Sequence, residues 1–436
     1  MKFISYLNMH RSRLGYVNCV LLVADMQLDS PIALRRRLDG LLFQPVFDDQ
    51  PEFRSFEDHL KSGGLARLDK QLFRRSLRRA RRPRTALFSE VSSRAPGARA
   101  YDVSDLWLLD ASMRSDLGGV LREDSDEPIE LAKDLGFLSP GYALTQFGQM
   151  VKLFLRERTG ESPPLLPQPN PLSIYDDIRI RLLYLYALFA ADIVFPAMLV
   201  ALGDGYRVEE SLHRALDYLV GQIDQGLRLD EVSEARGLYK LRERIGKVRV
   251  STTGMSSETP VEKAQRVPRL EFCVDLGFLD RKSAATESAE RNYLVMDSLK
   301  RAPAILKHLV DHPGNAPTWL DCEFFRAAGA LYDRPLEAIE NPDLRLLYFV
   351  KGSRFVKRSV GFVPGRIAAM VGCLMAWMDG RRLEISQTFE QVYAVPKGPW
   401  ADYIKFSGGS RLDSEFLVVV NEALETKLMG ATSGIN

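Results

Sequence analysis

The chain has 436 residues, of which 46% are hydrophobic and 27% are charged, and this composition excludes a disordered or fibrous protein. Its size is typical of about two to four globular domains. Lysine and arginine number 59 against 57 aspartates and glutamates, so the net charge of +2 does not by itself indicate a polyanionic partner. The four cysteines form no C-x-x-C pair, which excludes a disulfide framework and a thiolate zinc site and predicts a cytoplasmic protein.

Two apolar runs could be targeting or membrane segments. The first, residues 14–24, is interrupted by Asn18 and followed at once by an aspartate, which fits a buried helix or strand better than a signal peptide. The second, residues 182–203, is long enough to cross a bilayer but carries Asp192 and Pro196 near its centre. We expect both runs to be buried elements, the second split into two helices, and we expect no membrane segment.

Clusters of proline, glycine and serine divide the chain into four predicted domains. The first, residues 1–100, carries a basic amphipathic helix, and the second, 101–160, is a helical unit closed by a proline-rich connector. The third spans 171–313. The fourth spans 315–436, where two β-prone runs around a glycine turn, between 400 and 420, predict a hairpin. The expected fold class is mainly α (α+β) and multi-domain, with short β-hairpins.

The pentapeptide Asp-Leu-Gly-Phe-Leu occurs twice, at 134–138 and at 275–279, each time at the end of an amphipathic run. The glycine of each copy is placed to end a helix in the left-handed conformation. The first copy is followed by a short turn, Ser-Pro-Gly at 139–141, and then by a strand-like run that becomes a helix with Thr145 suited to cap it. The predicted order is therefore helix, glycine stop, short strand and capped helix.

This order, with Leu-Gly-Phe-Leu followed by Tyr-x-Leu-Thr-x-x-Gly from residue 142, resembles the second half of a winged helix-turn-helix domain of prokaryotic DNA-binding proteins. The resemblance covers about thirty residues per copy. The second copy has a longer polar turn, residues 280–291, and lacks the threonine and glycine after its strand; residues 171–204 resemble the first long helix of its domain. The resemblance implies two winged-helix-like units, and generic helical packing modules are the alternative.

The charges beside the two copies differ in sign. Six acidic residues lie between 123 and 134, around the helix of the first copy, and they would repel phosphates, which indicates a protein-binding unit. The second copy follows a basic stretch that could hold DNA, and a solvated basic face is the alternative. Its predicted contacts are phosphate contacts from Lys247, Arg249 and Lys263, with Gln265, Arg266 or Arg269 reaching a groove.

A second basic element lies at residues 67–84, where nine of eighteen residues are basic and Asp69 is the sole acid. Leucines at three- to five-residue intervals predict a helix that packs one face and lines the other with arginine, as far as Pro83. Nucleic acid is the partner that this row favours; an acidic protein, a membrane surface or plain solvation are the alternatives. The DNA-binding residues predicted here are Arg67, Lys70, Arg74, Arg75, Arg78, Arg79, Arg81 and Arg82.

The sequence offers little catalytic chemistry. It contains no Walker loop, G-x-G-x-x-G, H-E-x-x-H or G-x-S-x-G motif, which weakens the case for an enzyme. His308 and His312 have metal-ligand spacing without an evident third ligand. Asp413, Glu425 and Lys427 come nearest to a Mg²⁺-dependent nuclease set, although Glu425 is expected on a surface helix. No catalytic residue, metal site or cofactor is therefore assigned from the sequence.

The sequence thus predicts a cytoplasmic, non-enzymatic DNA-binding protein, either a regulator or the DNA-engaging subunit of a larger bacterial complex for defence or chromosome handling. The acidic first copy and the large surface of a four-part chain also predict a protein partner or homo-oligomerisation. A protein-interaction adaptor built on winged-helix units is the first alternative, and a Mg²⁺-dependent nuclease is the second.

Overall fold

The computed structural model describes part of the chain, and within it the fold is mainly helical with a few short strands, which confirms the predicted mainly α class. The described residues are 4, 14–31, 33–34, 37–38, 127–159, 174, 177–229, 232–250, 260–281, 293–301, 303–360, 363–407, 417–421 and 423–432.

The α-helices of this part are connected in places by short 3₁₀ turns. In chain order they are α1 (Leu14–Val23), α2 (Glu127–Asp134), α3 (Gln146–Thr159), α4 (Ile178–Ala191), α5 (Val194–Gly203), α6 (Ser211–Leu229), α7 (Val232–Val250), α8 (Pro260–Leu276), α9 (Asp297–Arg301), α10 (Pro303–Asp311), α11 (Ala316–Cys322), α12 (Phe324–Leu331), α13 (Pro342–Val360), α14 (Gly365–Met378), α15 (Ile385–Ala394) and α16 (Ala423–Thr432).

The strands pair in twos. They are β1 (Leu279–Arg281), β2 (Tyr293–Val295), β3 (Glu337–Ala338), β4 (Arg381–Arg382), β5 (Ile404–Ser407) and β6 (Leu417–Val420). Strands β1 and β2 are antiparallel, β3 and β4 are parallel, and β5 and β6 are antiparallel with Ile404 opposite Val420. The β5–β6 pair confirms the hairpin predicted between 400 and 420.

The buried hydrophobic residues form one contiguous cluster that runs from Ile4 to Leu428 and includes side chains from all four predicted domains. Helix α1 packs against α2 and α3, so the beginning of the chain shares this core with residues 127–159. The division into independently folding domains stays a prediction. Where α13 and α14 cross, a Cβ on Gly352 would lie 2.3 Å from the backbone oxygen of Ala368, so only glycine permits this approach.

The apolar run at 182–203 is split into two helices, as predicted. Helices α4 and α5 meet at an angle of 110° at Asp192, whose buried carboxylate accepts a hydrogen bond from the backbone N–H of Val194 at 3.3 Å. Pro196 lies in the first turn of α5, where its missing N–H leaves no helix hydrogen bond unmade. Among the described residues, no single helix is long and apolar enough to cross a membrane; only this bent pair has the required length and composition.

A buried carboxylate joins two helices in the C-terminal part. The side chain of Glu384, which is 3% exposed, accepts hydrogen bonds from the backbone N–H groups of Phe325 at 3.0 Å and Arg326 at 2.7 Å, and so caps α12. The same residue is the N-cap of α15, where it forms a capping box with Gln387. Burial raises the pKa of Glu384 to about 7, because the charged form loses more hydration than the two backbone donors replace.

Candidate nucleic-acid interface

The glycines of the two pentapeptides end their helices in the same way. Gly136 has a φ of 77° and Gly277 a φ of 84°, the left-handed conformation that was predicted. In the first copy the N–H of Gly136 donates to the oxygen of Lys133 at 3.0 Å, and that of Phe137 to the oxygen of Ala132 at 2.9 Å. The corresponding bonds from Gly277 and Phe278 measure 3.0 and 2.8 Å. Both copies therefore form a Schellman motif.

In both copies the chain turns back after the glycine and pairs with the residues that directly follow it. In the first copy Leu138 and Leu144 form an antiparallel bridge, and in the second the equivalent pair is Leu279 and Val295. The phenylalanine oxygen then accepts a hydrogen bond from the chain that returns: from the N–H of Thr145 at 3.0 Å in one copy and from that of Met296 at 3.1 Å in the other. The Thr145 hydroxyl also caps α3 by accepting from the N–H of Gly148 at 3.0 Å, as predicted.

A glutamate–tyrosine hydrogen bond extends the repeat beyond the pentapeptide. The Tyr142 hydroxyl donates to Glu130 at 2.8 Å, and the Tyr293 hydroxyl donates to Glu271 at 2.6 Å. Each glutamate lies four residues before the aspartate of its pentapeptide, and each tyrosine begins the returning backbone. This pairing was missed from the sequence, where the shared Glu-x-x-x-Asp-Leu-Gly-Phe-Leu spacing was the available signal.

The first copy has a further backbone partner from the beginning of the chain. The N–H of Leu144 donates to the oxygen of Asp25 at 2.7 Å, and the N–H of Asp29 donates to the oxygen of Gly141 at 3.2 Å. Residues 25–29 therefore lie beside the returning segment, with a bend at residues 26–27 between the two hydrogen bonds. Sequence reasoning did not connect the two segments, because more than a hundred residues separate them along the chain.

Helix α2, which precedes the first glycine, packs against α1 and buries most of its surface. Ile129, Leu131 and Ala132 are buried, while Glu130 forms an ion pair with Lys133. Burial raises the pKa of Tyr142, and its hydrogen bond to Glu130 acts in the same direction. The charges of this helix are thus held in contacts within the chain. The acidic residues at 123–126, on which the predicted protein-binding role also rests, lie outside the described residues.

Helix α8 precedes the second glycine, and its burial shows that the predicted groove contacts are wrong. Every residue from 265 to 276 is buried, including Gln265, Arg266 and Arg269, with exposed fractions of 4%, 7% and 0%. None of these three side chains can reach a DNA groove from this position. The Lys263 side chain lies outside the described part of the chain, so its predicted phosphate contact stays a prediction.

Arg269 joins three parts of the core. Its Nε donates to Asp192 at 2.8 Å, and both side chains are fully buried. Its two terminal nitrogens donate to the backbone oxygens of Gln265 at 2.8 Å and of Ile4 at 2.7 Å. Burial raises the pKa of Asp192, whereas the adjacent guanidinium and the backbone N–H groups of Val194 and Ile4 act in the opposite direction. The arginine therefore compensates the aspartate at the bend between α4 and α5.

Helix α7 is the basic element that remains at the surface. It packs mainly against α6. Its buried face consists of four aliphatic side chains, Leu238, Leu241, Ile245 and Val248. On the opposite side Lys240, Arg244 and Lys247 are exposed and, at 100° per residue, lie within about 60° of one another around the helix axis. We call these three residues the α7 basic row.

The ion pairs of α7 leave much of this charge available to a ligand. Lys247 is 72% exposed and pairs with Glu243 at 2.9 Å, an exposed contact that competes weakly with a phosphate. Lys240 and Arg244 form no ion pair with any residue that the structure describes. Arg249 continues the helix, but its side chain lies outside the described residues. Of the predicted phosphate contacts, Lys247 is thus on the row. Lys240 and Arg244 belong to the basic stretch seen in the sequence but were not predicted as contacts.

The basic element at 67–84 lies wholly outside the described residues, and its DNA-binding role stays a prediction. Two residues of the nuclease set, Glu425 and Lys427, are described, and the nuclease alternative stays a prediction. Glu425 lies on the predicted surface helix, α16, where it pairs with Arg354, while Lys427 donates to the Tyr403 hydroxyl and lies 4.6 Å from the centroid of that ring. The Glu425 carboxylate and the Lys427 ammonium therefore contact different side chains and not each other. Asp413 lies outside the described residues.

The two histidines make contact with each other without forming a metal site in the described residues. The His308 and His312 rings lie with their centroids 5.0 Å apart, and His312 Nδ1 is 3.3 Å from the His308 backbone oxygen. Across the described residues no three side chains of histidine, cysteine, aspartate or glutamate are grouped to hold a metal ion.

Comparisons with known protein families, with functionally characterised proteins and with solved structures returned no match to this chain.

Proposed function

We propose that this protein is a non-enzymatic nucleic-acid-binding protein that contacts the phosphodiester backbone through the α7 basic row. The observation that carries the proposal is the alignment of Lys240, Arg244 and Lys247 on the solvent face of a helix that is anchored on its other side. The row extends over about 10 Å, the length of about three phosphates along one strand. Cations at this spacing can neutralise adjacent phosphates together.

The burial of α2 and α8 supports backbone contact rather than base reading. A helix that reads bases must enter the major groove with exposed side chains. Helix α8 is buried along residues 265–276, and on α2 the Glu130 carboxylate is held by Lys133 and Tyr142. The two winged-helix-like units then serve as packing modules rather than as base readers. Binding through phosphates is sequence-independent and strongly salt-dependent.

The cellular role that we propose is the one predicted from the sequence. Of the two roles predicted from the sequence, a surface that binds without sequence preference favours the DNA-engaging subunit of a larger bacterial complex, located in the cytoplasm, over a regulator. The basic element at 67–84 would add phosphate contacts to those of α7. Its contribution is separable, because Arg74, Arg78 and Arg81 can be changed without altering α7.

The test is fluorescence anisotropy of labelled duplex DNA at several salt concentrations. We expect the combined variant Lys240→Glu, Arg244→Glu and Lys247→Glu to bind more weakly and to reduce the slope of log affinity against log salt by about 2 to 3, since each phosphate contact contributes about 0.9. The matched control changes three other exposed lysines, Lys300, Lys397 and Lys405, to glutamate, which alters the net charge equally. An equal loss in both variants would contradict a defined interface and indicate a general charge effect.

A second candidate function, a protein-binding adaptor, has one observation in its favour. Leu294 and Met296 on the β1–β2 hairpin are 49% and 41% exposed, which places two large apolar side chains next to each other at the surface. If this patch joins two copies of the chain, light scattering should report an oligomer that dissociates in the Leu294→Asp, Met296→Asp variant. A monomer at all concentrations in the unchanged protein would contradict self-association.

A further inference from the structure

We infer that the α7 surface prefers unpaired nucleotides, with the ring of Tyr239 stacking on a base while the α7 basic row holds the adjacent phosphates. This inference rests on the proposed function and narrows its ligand from nucleic acid in general to single strands. A duplex offers phosphates but keeps its bases stacked inside, whereas a single strand offers both phosphates and open base faces.

Tyr239 is placed to meet such a strand. It directly precedes Lys240 and is 61% exposed, the most exposed aromatic side chain in the described residues. At 100° per residue it lies on the flank of the α7 basic row, about a quarter turn from Lys240. A base stacked on its ring would therefore leave the next phosphates within reach of the lysine and arginine side chains.

The other exposed tyrosines of this region are engaged by the chain itself. The Tyr218 hydroxyl donates to Asp311, and the guanidinium of Arg214 lies 5.1 Å from the centroid of the Tyr206 ring. Tyr239 makes no hydrogen bond or ring contact with any described residue, and its interaction with Arg242 is electrostatic. A ligand that covers this ring gains apolar burial as well as stacking.

A glycine on the same side of the helix leaves the backbone there uncovered, as Gly237 does elsewhere on α7. Gly246 follows Tyr239 by seven residues, two turns along α7, and a Cβ added to it would meet nothing within 4 Å. Glycine inside a helix costs about 1 kcal/mol relative to alanine, and packing does not require it here. The bare backbone instead allows a sugar–phosphate chain to approach the helix closely beyond the tyrosine.

The experiment measures anisotropy with three labelled probes of about 20 nucleotides: oligo(dT), oligo(U) and a mixed-sequence duplex. The unchanged protein should bind both single strands more tightly than the duplex. Tyr239→Ala should lower the affinity for the single strands about 5- to 150-fold, the range expected for losing one stacked base, and leave duplex binding unchanged. Tyr239→Phe keeps the ring and should retain the affinity. Tyr206→Ala is the matched control.

Gly246→Leu provides the second readout. Helix propensity alone predicts a more stable helix and unchanged binding, whereas a strand that lies against the backbone predicts weaker single-strand binding despite the added stability. Thermal unfolding of each variant checks that the fold is intact. Equal binding of duplex and single strands, with full affinity in Tyr239→Ala and Gly246→Leu, would overturn the inference and leave the phosphate interface standing. Full binding after the triple change of the α7 basic row would instead overturn the proposed function.

Discussion

The two copies of the pentapeptide share their backbone geometry but differ in what surrounds it. Both have the Schellman turn, the returning backbone and the glutamate–tyrosine hydrogen bond. The first copy returns through a short turn, so that Tyr142 adopts a φ of 60°, and it lies beside residues 25–29. The helix of the second copy is buried and carries the Arg269–Asp192 pair. A repeated motif thus specifies a local turn, while the neighbouring elements decide which face meets solvent.

The largest expected effect is the difference in stability lost when the ion pair of each copy loses its cation. Arg269→Met leaves Asp192 buried without its cation and should lower the free energy of unfolding by about 3–5 kcal/mol. Lys133→Met, in the partly exposed pair with Glu130, should cost less than about 1 kcal/mol because water screens that pair. Urea denaturation followed by circular dichroism measures both. Adding Asp192→Asn to Arg269→Met should recover part of the lost stability, because it removes the buried charge. Equal losses in Arg269→Met and Lys133→Met would contradict the difference between the two copies.

Glu384 is another buried acid, and it is held by backbone N–H groups rather than by a cation. Its pKa is raised from 4.5 to about 7, so the folded state binds the proton more tightly than the unfolded state. The stability that this proton contributes is fully present below about pH 4.5 and is lost as the pH rises through about 7, an effect of about 3 kcal/mol. Denaturation curves across this range should show the decline, and the decline should flatten in Glu384→Gln. A decline of the same steepness in that variant would assign it to other groups.

The glycines test whether the turn itself is equivalent in the two copies. Gly136→Ala and Gly277→Ala each place a Cβ at a positive φ, which should cost about 1–2 kcal/mol in both. At Gly136 an added Cβ meets nothing within 4 Å, so its cost should be conformational alone. Paired unfolding measurements give the comparison. A much larger cost at Gly277 would mean that packing around the second copy adds a steric contribution.

The smallest expected effect concerns the tyrosine hydroxyls. Tyr293→Phe removes a donor from Glu271, which is 2% exposed, and should cost about 1–2 kcal/mol, whereas Tyr142→Phe should cost about 0.5–1 kcal/mol because Glu130 keeps Lys133 and is nearer to solvent. Thermal unfolding of the two single variants and of the double variant gives the values. The reverse order would contradict the burial difference between the copies.

The elements that were predictable from the sequence depend on local rules. The glycine stops, the Thr145 cap, the break at Asp192 and the C-terminal hairpin are each set by a few neighbouring residues. The burial of Arg269 was not predictable in this way, since a run of basic residues is usually a solvated face and its partner Asp192 lies 77 residues away. The pairing of residues 25–29 with the first copy was missed for the same reason. Long-range contacts decided which of the predicted DNA-binding residues remain exposed.

Helix α7 packs mainly against one neighbour, α6, and this should affect how readily it opens. A helix that is held on one face opens at a lower free energy than one enclosed on all sides, so its backbone amides should exchange with solvent deuterium sooner than those of α8. A strand bound across α7 would slow this exchange without altering that of the enclosed helix. The surface proposed to hold nucleic acid is then also the part of the molecule whose order a ligand can change.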